Sequence, residues 1–237
     1  MFEQRAVGKE ILDGRHARAN ALPFARHSYE TMTAAHRYLG SFKTIRQFLS
    51  QEADHLPTHR TLRVLDMGAG DCGVGADILR WSQQTGVPVH LTCVDDNVHA
   101  IRLAKQRFGG DDAASVDLCC ERIQDHSPTE NYDCAIGSLF FHHFSGAEIV
   151  RLLEQLRSMV RRSVLINDLL RSPTAHMAFI CLFPLLAPEV WRDGLMSIRR
   201  GFDRKGLCRI LRGVPAAEFT VNETCLFRIV GRLRFTH

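Results

Sequence analysis

Five short apolar runs, most of them followed by a helical pattern, constrain what this chain can fold into more than any other feature. The runs are "LRVLDM", "VHLTCVDDN", "SVDLCCE", "YDCAIGSLFF" and "SVLINDLL". Between them lie "GADILRWSQQTG", "VHAIRLAKQRFGG" and "GAEIVRLLEQLRSMV", with apolar residues at helical spacing. A strand-then-helix rhythm belongs to a parallel sheet wound on both faces. The runs are apolar throughout, as in strands covered on both sides. The rhythm breaks after the fifth run and resumes with helical "KGLCRILRG". Two further runs, "AEFTVNET" and "CLFRIVGRLRF", are separated by little more than a turn. A connection that short lets them pair antiparallel. The fold class is therefore α/β: a doubly wound, mostly parallel seven-stranded sheet closed by a C-terminal antiparallel hairpin.

The flanking regions read differently. From Tyr29, apolar residues recur at Met32, Ala35, Leu39, Phe42, Ile45 and Leu49, one face of an amphipathic helix, with His36 and Tyr38 beside it. "DHLPTHR" leads out of that helix. The expected organisation is a helical cap over 1–57, a core over 58–171, a helical cap insertion over 172–205, and completion of the core by the hairpin over 206–237. The longest apolar run, Met177 to Pro188, is broken by Pro184 and falls short of the roughly 20 residues that cross a bilayer. The first 20 residues lack a signal-peptide core. A net charge of +4 with scattered arginines is no nucleic-acid footprint. The eight cysteines form no Cys-x-x-Cys pair, so no metal site is expected and reduced thiols in a cytoplasmic protein are.

The first strand runs into a glycine turn, "RVLDMGAGDCGVG". It contains Gly68-x-Gly70-x-x-Gly73, the spacing of a dinucleotide loop, and Asp95 follows Gly73 by 22 residues at the end of the second strand. An acid there reaches ribose hydroxyls. Both features suit any nucleoside cofactor. Asp66, two residues before Gly68, discriminates. A pyrophosphate would meet a carboxylate at the mouth of its own loop. S-adenosyl-L-methionine carries no phosphate, and its sulfonium and ammonium are both cationic. Asp66 therefore favours S-adenosylmethionine over NAD.

With "VLDMGAGDCG", "CVDDN", "YDCAIGSLFFHHF" and "SVLINDLL" in that order, residues 60–170 resemble the class I S-adenosylmethionine-dependent methyltransferases, which have a Rossmann-like sheet and a closing hairpin. "HHF" and "INDLLRS…DGLMSIRRGF" resemble more narrowly the small-molecule enzymes of bacterial quinone and polyketide pathways. The family loop usually carries a third glycine where this chain has Cys72, a small residue. The resemblance implies that Asp66, Gly68, Ala69, Gly70, Asp95, Asp96, Asn97, Ser138 and Leu139 line the cofactor site. Glu121, with Arg122 beside it, takes the place of the acid near the adenine. Asp96 and Asn97 also suit the cap of the next helix.

Methyl transfer is an in-line displacement at a carbon activated by sulfur, and a phenol or enol acceptor gains from a base poised near neutral pH. His143 is the first candidate and His142 the second; both also suit packing beside Phe140, Phe141 and Phe144. Asp168, at the end of the fifth strand, could orient a histidine, bind a substrate hydroxyl or cap a helix. Arg199 and Arg200 could clamp an acidic or phenolate substrate, and Met177 and Phe179, with Leu182 and Phe183, could wall an aromatic one. The expected activity is O-methylation of a phenolic or enolic, aromatic or polyketide-like small molecule. C-methylation of a quinone- or phenol-like ring, an NAD(P)-dependent oxidoreductase and a non-catalytic cofactor-binding protein are the alternatives. A homodimer through the apolar cap is a further expectation; a nucleic-acid partner is not.

Overall fold

The computed structural model describes residues 5, 26, 29–31, 33, 40–109, 114–181, 188–224 and 227–236. Met32, Ala35, His36, Tyr38, Leu39, Leu182, Phe183 and Pro184 lie outside the described residues. The runs read as strands are β1 (Leu62–Met67), β2 (Val89–Asp95), β3 (Val116–Cys120), β4 (Tyr132–Ser138), β5 (Val160–Leu169), β6 (Ala217–Glu223) and β7 (Arg228–Phe235). They form one sheet in the order β3-β2-β1-β4-β5-β7-β6. β1 to β5 are mutually parallel, and β7 runs antiparallel between β5 and β6.

The helices are α1 (Ser41–Ala53), α2 (Gly73–Thr85), α3 (Val98–Arg107), α4 (Gly146–Leu156), α5 (Pro173–Ile180), α6 (Pro188–Arg200) and α7 (Arg204–Leu211). Between β3 and β4 the chain makes only a 3₁₀ turn, Ile123–Asp125. Strand residues alternate between two apolar layers. Leu65, Ala135, Val164 and Ile166 pack on one face with α4 and α7. Val64, Cys134, Ile136 and Leu165 pack on the other with α1 and α2. Among the described residues both faces are covered, which leaves the ends of the strands as the access to the sheet. A half-buried pair, Arg46 Nε to Asp77 Oδ2 at 2.8 Å, joins α1 to α2. Capping is local and strong: Ser145 and Glu148 form a capping box at α4, Ser172 caps α5 and Asp203 caps α7. Among the described residues no helix is long and apolar enough to cross a membrane.

Candidate active site

The carboxyl ends of β1, β2, β4 and β5 meet where strand order reverses, between β1 and β4. This is where an open α/β sheet binds ligands. The glycine turn leaves β1 with Gly68 at φ 64° and Gly70 at φ 57°. A Cβ on Gly68 would lie 2.3 Å from Phe140 Cδ2, and one on Gly70 would lie 2.8 Å from Tyr29 Cε1. Both positions therefore need glycine for conformation and for space. Cys72 takes the same left-handed conformation, at φ 57°, immediately before α2. The departure from a third glycine is thus absorbed as a strained cysteine, and the turn keeps its path.

Asp66 sits at the tip of β1, 2% exposed, and its Oδ2 has no partner among the described residues. Burial, and then the nearby Asp95, push its carboxyl up to about 7. Such a group is completed by a cation. Asp95 Oδ2 accepts from Gly70 N at 2.8 Å, and its Oδ1 accepts from Asn97 N at 2.8 Å. Burial raises Asp95 to about 6, against the pull of those two N–H groups. Asn97 caps α3 by accepting from His99 N at 2.9 Å, and Asp96 is half-buried beside it. Ala69 donates its N–H to the Val94 carbonyl, tying the turn to β2.

Glu121 donates its backbone N–H to the Asp95 carbonyl, so the ends of β2 and β3 are bound together. Its side chain pairs with His126 Nδ1 at 2.7 Å, and His126 Nε2 meets the Tyr132 hydroxyl at 2.8 Å. Arg122 is exposed. Cys119, Glu121 and His126 bring potential ligand atoms within 4.8 Å of one another. Both His126 nitrogens are already engaged, so the group reads as a hydrogen-bonded chain.

Across the switch point, Ser138 Oγ accepts from Asn167 Nδ2 at 2.9 Å, locking β4 to β5. Leu139 then adopts φ 56°, a conformation that costs a leucine energy, and turns the chain into the 3₁₀ segment Phe141–His143. Here the two histidines part. His142 is buried; its Nδ1 lies 2.8 Å from Asp168 Oδ1 and its backbone N–H donates to Asp168 Oδ2 at 3.1 Å. His143 is half-buried, with its ring centroid 4.1 Å from that of His142. Burial pushes Asp168 up, but His142, the Leu169 N–H and His143 outweigh it, and its pKa falls below the usual carboxylate value. Asp168 is therefore an anion, and an imidazole facing it donates from Nδ1.

Arg200 is buried and donates from Nε to the His142 carbonyl at 3.2 Å. Arg199, its neighbour in the last turn of α6, is half-buried. Phe179 packs against Gly194, where a Cβ would lie 2.3 Å from Phe179 Cζ, and so joins α5 to α6. Met177, expected in a substrate wall, is 60% exposed.

Several site residues carry no local sequence signal. Arg5 donates from Nη2 to the same His142 carbonyl at 2.8 Å and from Nε to the Arg200 carbonyl at 2.7 Å. Arg228 and Arg171 are buried at the same end of the sheet. Tyr29 lies over Gly70, and Thr33, one helical turn on, lies over Gly73.

The methyltransferase domain family matches residues 64–163. No curated protein matches the sequence. Among solved structures, the plantazolicin methyltransferase BpumL in complex with S-adenosylhomocysteine is similar at 15% identity, covering 96% of this chain and 94% of that one, with a TM-score of 0.72. The magnesium protoporphyrin IX methyltransferase of Synechocystis PCC 6803, with bound S-adenosylhomocysteine, is similar at 11% identity over 84% and 83%, TM-score 0.55. The CurJ carbon methyltransferase is similar at 13% identity over 89% and 59%, TM-score 0.63. At these identities the likeness is one of fold. Residues 64–163 therefore carry a methyltransferase domain, and the glycine turn with the acids at the tips of β1 and β2 accords with it.

Proposed function

We propose that the protein methylates the oxygen of a phenolic or enolic small molecule, aromatic or polyketide-like, with His142 as the base. S-adenosylmethionine fits the residues present: Asp66 offers a buried unpartnered carboxylate oxygen, and Gly68 and Gly70 offer a cradle that any Cβ would fill. When bound, it supplies an electrophilic methyl group on a sulfonium, which leaves as a neutral thioether. Asp66 faces the cationic end, Asp95 the ribose, and Glu121 the adenine side.

The observation that carries the reading is the His142–Asp168 pair, held at 2.8 Å beside the glycine turn. Asp168 fixes Nδ1 as the protonated nitrogen, so Nε2 is the basic one. As the acceptor oxygen attacks the methyl carbon, His142 takes the hydroxyl proton and Asp168 stabilises the imidazolium. His143, its ring tilted against that of His142, helps to position it. Residues 1–57 and 172–205 act as caps over the acceptor, which fits the contact of Tyr29 with Gly70 and of Arg5 with His142. C-methylation of the same ring would use the same base, and NMR of the product separates the two. A role in bacterial secondary metabolism, in the cytoplasm, accords with this reading.

The test is calorimetric titration with S-adenosylhomocysteine and NADH in parallel, followed by transfer from labelled S-adenosylmethionine to a panel of phenols. Binding of NADH alone would sink the proposal. Full transfer by His142→Gln would remove the base and leave the cofactor assignment standing.

A further inference from the structure

The β5–β7 end of the site holds more positive charge than the fold consumes. Arg228 opens β7 opposite Leu169 of β5 and is 2% exposed, yet its Nε and Nη1 have no hydrogen-bond partner among the described residues. Arg171, 8% exposed, gives Nη2 to Asp203, while its Nε and Nη1 have none. Arg5 reaches across from the N-terminal region, its guanidinium 4.3 Å above the Phe202 ring. The same Phe202 exchanges backbone hydrogen bonds with Leu169 and Arg171, and Arg228 pairs with Leu169, so Arg171 and Arg228 leave adjoining backbone at the end of β5.

The facing carboxylates are already committed. Asp168 serves His142 and the Leu169 N–H, and Asp203 caps α7 through Gly206 N at 2.7 Å. Burial lowers both Arg228 and Arg5 to about 10, with Asp168 opposing the fall. Both remain cations at neutral pH. A buried guanidinium with unmet donors is costly unless an acceptor completes it.

We propose that the acceptor carries an oxyanion substituent, carboxylate or phosphate, received by Arg228 and Arg171 with Arg5 at the rim. The inference rests on the methyltransferase reading of this site and adds the charge of its substrate. An oxyanion supplies the acceptor atoms the two guanidiniums lack, and its bonds to them are charge-assisted. It sets the reacting hydroxyl on the His142 side, because Arg5 and Arg200 both bind the His142 carbonyl.

The experiment is calorimetry on the full chain, with and without S-adenosylhomocysteine, using benzoate, phenyl phosphate and neutral benzamide. At least one anion should bind about tenfold or more tightly than benzamide, and the tighter one names the oxyanion. Arg228→Met and Arg171→Met should each abolish that preference while leaving S-adenosylhomocysteine affinity unchanged. Equal binding of all probes, no binding of either anion, or a preference that survives both substitutions overturns the proposal. If one variant fails to fold, the wild-type comparison and the other variant decide. Failure of S-adenosylhomocysteine to bind the wild type would instead strike the methyltransferase reading, since anion preference is measured without it as well.

Discussion

The two halves of the cleft are oppositely charged. At the β1–β2–β3 end stand Asp66, Asp95, Asp96 and Glu121. At the β5–β7 end stand Arg5, Arg171, Arg200 and Arg228, with Asp168 buried among them. The acids occur where a cationic methyl donor would lie. The arginines surround the point where the acceptor would enter. One sheet thus carries acids at one end and arginines at the other, and on the proposed reading each field would orient its own ligand before reaction. The difference also shows how each half is held. The acidic half rests on backbone N–H groups from a short loop, the basic half on side chains from distant segments.

The largest break in this contrast should come from the His142–Asp168 pair. His142→Gln is expected to lower kcat by about 10²- to 10⁴-fold with little change in cofactor affinity, read by single-turnover transfer and by calorimetry. Asp168→Asn should follow the same direction. It should also shift the pH–rate profile, because the ring loses the anion that holds its tautomer.

Next comes the cradle. Gly68→Ala places a Cβ 2.3 Å from Phe140 Cδ2 at φ 64°. It is expected to destabilise the fold by about 1–3 kcal/mol in denaturant titration. S-adenosylhomocysteine affinity should fall with it, while any benzoate binding at the other end stays.

Asp66 gives a smaller effect with a distinctive pH dependence. Its folded pKa of about 7 lies above the ordinary 3.8, so the proton is bound more tightly in the folded state. Stability from this group is full below pH 3.8 and is lost as pH rises through about 7. Asp66→Asn should therefore melt higher than wild type at pH 8 and close to it at pH 4. Affinity for S-adenosylmethionine should run the other way, rising in the wild type as pH climbs through 7 because the ionised carboxylate attracts the cation. The variant should show a flatter dependence. Proton release on binding, measured in buffers of different ionisation enthalpy, checks the sign.

The smallest effect is expected at Tyr29, whose ring covers Gly70 and whose hydroxyl is held well above its ordinary pKa by burial and the surrounding acids. Tyr29→Phe should leave transfer near wild type. Tyr29→Ala should weaken cofactor binding several-fold through lost contact, and equal affinity of all three proteins would remove Tyr29 from the site.

The acidic half was largely legible in the sequence. Gly68 and Gly70 stand in a turn between a strand pattern and a helix pattern, and Asp95 follows at the distance one βα unit imposes. Such features are local, and local spacing is what a sequence displays. The two-sided covering of the sheet was legible for a similar reason: continuous apolar runs exclude a one-sided sheet.

The basic half was not. A lone arginine has no periodicity, and only the pairing of Leu169 with Arg228 and the return of Phe202 to β5 brings Arg228 and Arg171 together. The choice between Arg199 and Arg200 also needed three dimensions, because adjacent helix residues point about 100° apart. The same holds for the histidines. Sequence places both past β4, and the 3₁₀ turn decides which one meets Asp168.

Arg5 and Arg228 come from opposite ends of the chain and stand at one corner of the sheet. That corner cannot close until β7 has paired between β5 and β6 and Arg5 has reached the His142 carbonyl. Contacts so far apart in the chain form late and open early. Removing the segment that carries Arg5 should therefore produce a protein that still grips its methyl donor and has gone blind to what it should modify.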